Sequence, residues 1–157
     1  MEHTKISGVA KDADIARIAL VGLRDEPGVA FKLFRVIANA KINIDIILQS
    51  IGRDYTNDIS FTVARGDMEN AVEVLEDNKD VIGYTEIKTN DKVAKVSVVG
   101  AGMMSAPGVA AMMFEALYDS KINIGMISTS EIKISVLVDE SDADRAVAAI
   151  HAKFFGM

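Results

Sequence analysis

PGVAFKLFRVIANAKINI (residues 27–44) recurs as PGVAAMMFEALYDSKINI (residues 107–124), ungapped at an offset of 80, with nine of eighteen positions identical. Unrelated segments of that length share about one position, so the chain carries an internal repeat. Each copy is entered from an apolar strand, LVGL at 20–23 or VVGAG at 98–102, and leaves into another, IDIILQSI at 44–51 or IGMISTSE at 124–131. The 157 residues therefore divide into two copies of one small α+β unit.

Around the first copy the pattern completes a unit. Residues 18–23 are apolar enough for a central strand, and Asp25-Glu26-Pro27-Gly28 ends it, with Pro27 suited to a helix's first turn. From Val29 to Asn39 the residues Val29, Leu33, Val36 and Ile37 share a helix face that Phe34 widens. Residues 42–51 predict a return strand, 52–57 a polar turn, and 58–64 a strand with Ile59, Phe61 and Val63 on one face. Asp67 is placed to cap a helix with the stripe Met68, Ala71, Val72 and Leu75, and 81–87 predict a closing strand. The fold class is α+β: two ferredoxin-like βαββαβ units, each a four-stranded antiparallel sheet with two helices on one face.

The second copy predicts strands at 93–99, 122–129 and 132–138, helices at 109–118 and 143–154, and a Ser141/Asp144 capping box. It has no fourth strand after its last helix, whereas KISGVA at 5–10 is a strand without a unit. A crossover that completes the second sheet makes residues 16–90 an inserted first unit and residues 1–15 with 91–157 the second. The alternative is an arm that is free or pairs with a neighbouring subunit.

Composition removes several functions. The net charge is −6, from 23 acidic and 17 basic residues, and no Lys/Arg stripe is present, which argues against nucleic acid as a partner. Absence of cysteine removes disulfide, thiolate-metal and Cys-nucleophile chemistry and suits a cytoplasmic protein. No apolar run approaches the ~18 residues of a membrane span, and no signal-peptide core is visible near residue 1. Half of the residues are hydrophobic, rich for units of about 70–80 residues, so part of that surface is expected in an interface. His3 and His151 stand alone, so no metal is expected; Gly100-Ala101-Gly102 is too short a match for a dinucleotide loop. No cofactor and no catalytic residue is expected. Met103, Met104, Met112 and Met113 fit core or interface better than a cofactor box.

Binding chemistry is better represented. Loops of small residues, Asp25–Gly28 and Gly100–Gly108, lead to helix starts whose free amides take a carboxylate. Asp25 and Asp45 attract an ammonium group, and Gln49 and Ser50, or Ser128 to Glu131, are polar ends of apolar strands. Together these describe an amino-acid site. The same residues have structural uses: Asp25 as cap or turn residue, Asn43 and Asn123 bonded to turn backbone, Gln49 facing solvent.

The segments D-x-P-G-x-A and A-x-A-K-I-N-I-D-x-I-x-Q (25–49), with VSVVGAGMMSAPGVAAMMFEAL and INIGMISTSEIKISVLV (96–138), resemble the tandem ACT domains of the regulatory region of bacterial aspartate kinase. The likeness covers essentially the whole chain, and the small regulatory subunit of the two-subunit enzymes has this length. It implies a non-catalytic regulatory part, feedback inhibition in lysine, threonine and methionine synthesis, a homodimer through ACT units, and a catalytic kinase subunit or domain as partner. L-threonine, with or without L-lysine, is the implied effector, held where an ACT unit meets a partner chain. Carried over by position, the site is Asp25, Gly28, Val29 and Ala30 with Asn43, Ile44, Asp45, Gln49 and Ser50. A weaker second pocket is Met103, Ala106, Gly108, Val109 and Ala110 with Asn123, Ile124 and Ser130; Ser105 and Gly125 replace both carboxylates there, and Thr129 replaces Gln49. The alternative function is a purely structural oligomerisation module.

Overall fold

The computed structural model describes residues 5–51, 54–101 and 108–156. The chain separates into two units, a first of residues 14–91 and a second of residues 1–13 with 92–157. The first described element, β1 (Lys5–Asp12), belongs to the second unit. The first unit follows as β2 (Ala16–Arg24), α1 (Val29–Asn39), β3 (Ile47–Ile51), β4 (Thr56–Val63), α2 (Met68–Asp77), α3 (Lys79–Ile82) and β5 (Glu86–Asn90). The second unit continues as β6 (Val93–Ala101), α4 (Gly108–Asp119), β7 (Met126–Thr129), β8 (Lys133–Asp139) and α5 (Ala143–Phe155).

Strand parity builds the first core. β2 buries Ala16, Ile18 and Leu20, alternate residues on one face, until its pairing with β4 slips between Leu20 and Leu23. Gly22 takes φ 75° at that bulge, the buried parity changes, and Leu23 still faces the core. Asp58 Oδ1 accepts the Gly22 N–H at 3.0 Å. α1 buries Val29, Leu33 and Ile37, roughly 1.5–3 kcal/mol each, so packing and not propensity holds a helix of 11 residues. Phe34 meets Phe61 edge to face, centroids 5.8 Å apart. In the second unit Val96, Val98 and Val136 lie under Met113, Leu117 and Ile150.

Both sheets are antiparallel throughout, in the orders β3-β4-β2-β5 and β1-β6-β8-β7. These are one pattern, with β1 holding against β6 the place that β5 holds against β2. Each unit is thus a four-stranded ferredoxin-like sheet carrying helices. Within the second unit, Lys153 pairs with Glu115 between α5 and α4.

Four local expectations are corrected. The return strand pairs regularly only from Ile47, not from residue 42. Before Ile47 the pairing is irregular, since the backbone of Thr62 donates to Ile46 O at 3.0 Å and accepts the Asp45 N–H at 3.1 Å while its Oγ1 takes the Ile46 N–H at 3.0 Å; Ile42 and Ile46 are apolar because they are buried. The closing strand expected at 81–87 is β5 at Glu86–Asn90, since α3 occupies Lys79–Ile82 and ends at Gly83 (φ 86°). Ile82 and Tyr84 are buried packing residues, and the Tyr84 hydroxyl donates to Leu75 O at 3.0 Å. Asp67 lies in a 3-10 turn and makes no capping bond from its side chain. No side chain caps α5, whose N-cap is Asp142; Asp139 instead caps the 3-10 turn at 140–142 before it, accepting from the Ser141 hydroxyl at 2.7 Å and its amide at 2.9 Å. Those bonds, the hydroxyl's first, hold the Asp139 carboxyl below the ordinary carboxylate range.

The repeat extends to backbone strain. Lys41 (φ 60°) and Lys121 (φ 57°) take the left-handed conformation just after α1 and α4, with their amides bonded to Ala38 O and Tyr118 O. A side chain there costs about 1 kcal/mol relative to glycine, so Lys41→Gly and Lys121→Gly are each expected to raise stability by a few tenths to about 1 kcal/mol in urea denaturation. Destabilisation would show that the lysine side chains do more than end helices.

Candidate functional site

The loop between β2 and α1 leaves a helix start open. Gly28, at φ 92° and ψ −10°, caps α1 without any side-chain bond, and Pro27 lies just outside the helix instead of in its first turn. The first intrahelical bond runs from Lys32 N to Gly28 O at 3.0 Å, so the amides of Val29, Ala30 and Phe31 precede the helical ladder. No acidic residue occupies the first turn to neutralise the positive end of the helix dipole.

Gly28, Val29 and Ala30 at that helix start line a pocket of about 110 Å³. Its floor is apolar, from Leu23, Val29 and Ile59; Gly28 and Ala30 form the helix side, and Arg24 and Glu26 the rim. Asp25, Gln49 and Asn57 supply its other polar groups. Asp25 is held twice: its amide donates to Tyr55 O at 3.0 Å, and its Oδ1 accepts from Asn57 Nδ2 at 3.0 Å. Gln49 lies on the exposed edge strand β3 opposite Ile59. Its side-chain amide is bonded to no other described residue. Amides and a dipole at one wall suit a carboxylate; a carboxylate and a side-chain amide at the other suit an ammonium group. The volume exceeds the ~10–15 Å³ that one water needs and falls below the ~300–1,000 Å³ of drug-sized sites, which fits a ligand of few atoms. Larger clefts in this unit, about 200 Å³ beside Arg17 and Lys88 and about 360 Å³ along α2, lack such convergence.

Of the residues expected here, Asp25, Gly28, Val29, Ala30 and Gln49 come together. Asn43, Ile44 and Asp45 do not. The chain returns antiparallel to α1, so they lie at its far end, about 16 Å along a helix of 11 residues. Ser50 pairs with Asp58 and therefore faces the opposite side of the sheet from Gln49. Asn57 is the functional candidate that sequence reasoning missed. Counting 57, 59, 61 and 63 as one face reveals it, but only once the strand is known to begin at Thr56.

In the second unit Met103 and Ala106 lie outside the described residues. Gly108, Val109 and Ala110 begin α4, and Asn123 and Ile124 lie between α4 and β7. Ser130 serves a turn, its hydroxyl accepting the Lys133 N–H at 3.2 Å. Met113 is core, while Met112 is 37% exposed. Among the described residues no group of three His, Cys, Asp or Glu is placed to hold a metal ion, and no helix is long and apolar enough to cross a membrane.

Both units are thus four-stranded antiparallel sheets with helices, and in the first an uncapped helix start borders a small polar pocket. The ACT domain family model matches the chain twice, over residues 18–78 and 96–154. An aspartokinase of Mycolicibacterium smegmatis is 47% identical over 156 residues, covering 98% of this chain and 37% of that protein. The regulatory subunit of aspartate kinase from Thermus thermophilus, solved ligand-free, superposes with a TM-score of 0.90 at 40% identity, covering 95% of this chain and 98% of that one. A structure of aspartokinase alpha and beta subunits superposes at 0.89 with 45% identity, covering 96% and 99%. The chain belongs to the ACT domain family and, within it, to the non-catalytic regulatory subunits and regions of aspartate kinases. It spans little more than a third of the length of the full aspartokinases it matches.

Proposed function

We propose that this chain senses an amino acid on behalf of aspartate kinase, binding L-threonine, or L-lysine, at the start of α1 and conveying feedback inhibition to a catalytic subunit or domain in the cytoplasm. The observation that carries this is the uncapped α1 start facing Asp25 across a small pocket. Ala30 and the pocket's volume favour the compact threonine over lysine.

A homodimer completes the site. On β3, Ile47, Leu48 and Ile51 are 52%, 39% and 93% exposed, an unpaired apolar edge that a second copy would cover. Antiparallel pairing of β3 with a return strand of a second copy sets the beginning of that strand beside Gln49. Asn43, Ile44 and Asp45, or the equivalent Asn123 and Ile124, then line the pocket from across the interface. A ligand held between two chains favours the paired state, and a catalytic partner that prefers one state feels the ligand as a population shift. The exposed β3 edge alone also supports the alternative of a purely structural oligomerisation module.

Isothermal titration with L-threonine and L-lysine, beside sedimentation at the same concentrations, separates the two. Saturable binding with a shift towards dimer is expected; a dimer indifferent to both amino acids would leave only the scaffold.

A further inference from the structure

We propose, resting on the amino-acid site above, that Asn57 is a positioning residue that sets the site's preference for ligands bearing an α-ammonium group, by holding the Asp25 carboxylate towards the pocket. Asn57 lies on β4 between Leu23 of β2 and Ile51 of β3, at the end of the sheet that carries the α1 start. Its parity with Ile59 and Phe61 turns it to the helix side, where it lines the pocket and is only 9% exposed. A side-chain amide buried to that degree requires a partner, and Asp25 Oδ1 supplies it at 3.0 Å.

The contact matters because of where Asp25 sits. The residue is exposed in a loop, and its main chain is pinned through Tyr55 O at 3.0 Å. That bond leaves the side chain free to swing into solvent. Asn57 removes this freedom from one carboxylate oxygen, and an ionised carboxylate, with about four acceptor positions, keeps the rest for a ligand ammonium. Asparagine suits this position because a carboxylate at residue 57 would repel Asp25, and an apolar side chain would let it rotate away.

A merely structural Asn57 would weaken every ligand alike, whereas a positioning Asn57 weakens only those with the ammonium group. L-threonine and (R)-3-hydroxybutyrate, the same molecule without its amino group, distinguish the cases by titration of the full chain, directly or by displacement. Asn57→Ala is expected to lower the preference for threonine about tenfold while leaving hydroxybutyrate within about twofold. In an Asp25→Ala background the same substitution is expected to change the preference no further. Asn57→Ser, which keeps a shorter donor, should lose less, and its ratio decides the matter if circular dichroism shows the alanine variant unfolded. Should lysine be the ligand, 6-aminohexanoate replaces hydroxybutyrate. An unchanged ratio in a folded variant overturns the role of Asn57 and leaves the site standing. Failure of the wild-type chain to bind either amino acid overturns the site and this role together.

Discussion

Asp25→Ala is expected to weaken binding of L-threonine by about a hundredfold, the largest functional effect of any single substitution in this chain. The carboxylate is the acidic group at the pocket that is held in place, through Asn57, for an ammonium ion. A hydrogen bond to a charged group is worth about 1.5–3 kcal/mol, and each 1.4 kcal/mol is tenfold in affinity. Truncation also strips the buried Asn57 amide of its acceptor, so a further loss of about 1 kcal/mol in unfolding free energy is expected. Gln49→Ala, removing a neutral amide on an exposed strand, should cost affinity about tenfold with little change in stability. Calorimetry and urea denaturation of the same variants check all of this. A threonine affinity unmoved by Asp25→Ala would place the effector elsewhere than the α1 start.

For stability the largest effect is expected at Gly22. A Cβ there would lie 2.4 Å from Thr85 Oγ1 and 2.9 Å from its Cγ2, and φ is +75°. The left-handed conformation costs a non-glycine residue about 1–2 kcal/mol. The clash adds to it, because Thr85 cannot simply rotate away: its hydroxyl and its amide both donate to Val21 O, at 3.0 and 2.8 Å. Gly22→Ala should therefore cost about 3 kcal/mol, a large share of the roughly 5–15 kcal/mol that holds a domain. Thr85→Ala is expected to restore part of that loss in a double-mutant cycle, which an effect of backbone strain alone would not allow. Gly8→Ala, with open space and no positive φ, is the near-neutral control. The bulge at Gly22 also re-aims the end of β2, so the variant should lose effector binding along with stability.

Two strong local signals made the repeated architecture legible: an ungapped repeat, and stripes such as Val29, Leu33 and Ile37 whose period is set by helix geometry. The helix-start wall of the pocket, Asp25 to Ala30, was legible for the same reason, since Asp-x-Pro-Gly before an apolar stripe announces a loop entering a helix. Apolar runs were ambiguous wherever burial and strand pairing diverge. Ile42 is buried ahead of the ladder, Ile46 in the irregular pairing opposite Thr62, and Ile82 in a short helix, yet each has the composition of a strand.

By itself, then, the sequence determined that two α+β units exist, which residues of α1 face inward, and that no cysteine is available for chemistry; periodicity and composition are local or summed properties that one chain displays directly. Only the tertiary structure decided that β1 pairs with β6, that the ladder of the return strand begins at Ile47, and that Asn57 meets Asp25. Those contacts join residues tens of positions apart through the register of hydrogen-bonded strands. The register slips between Leu20 and Leu23, and Asp45 and Ile46 both bond to Thr62; periodicity along one strand does not specify which residue of another it meets.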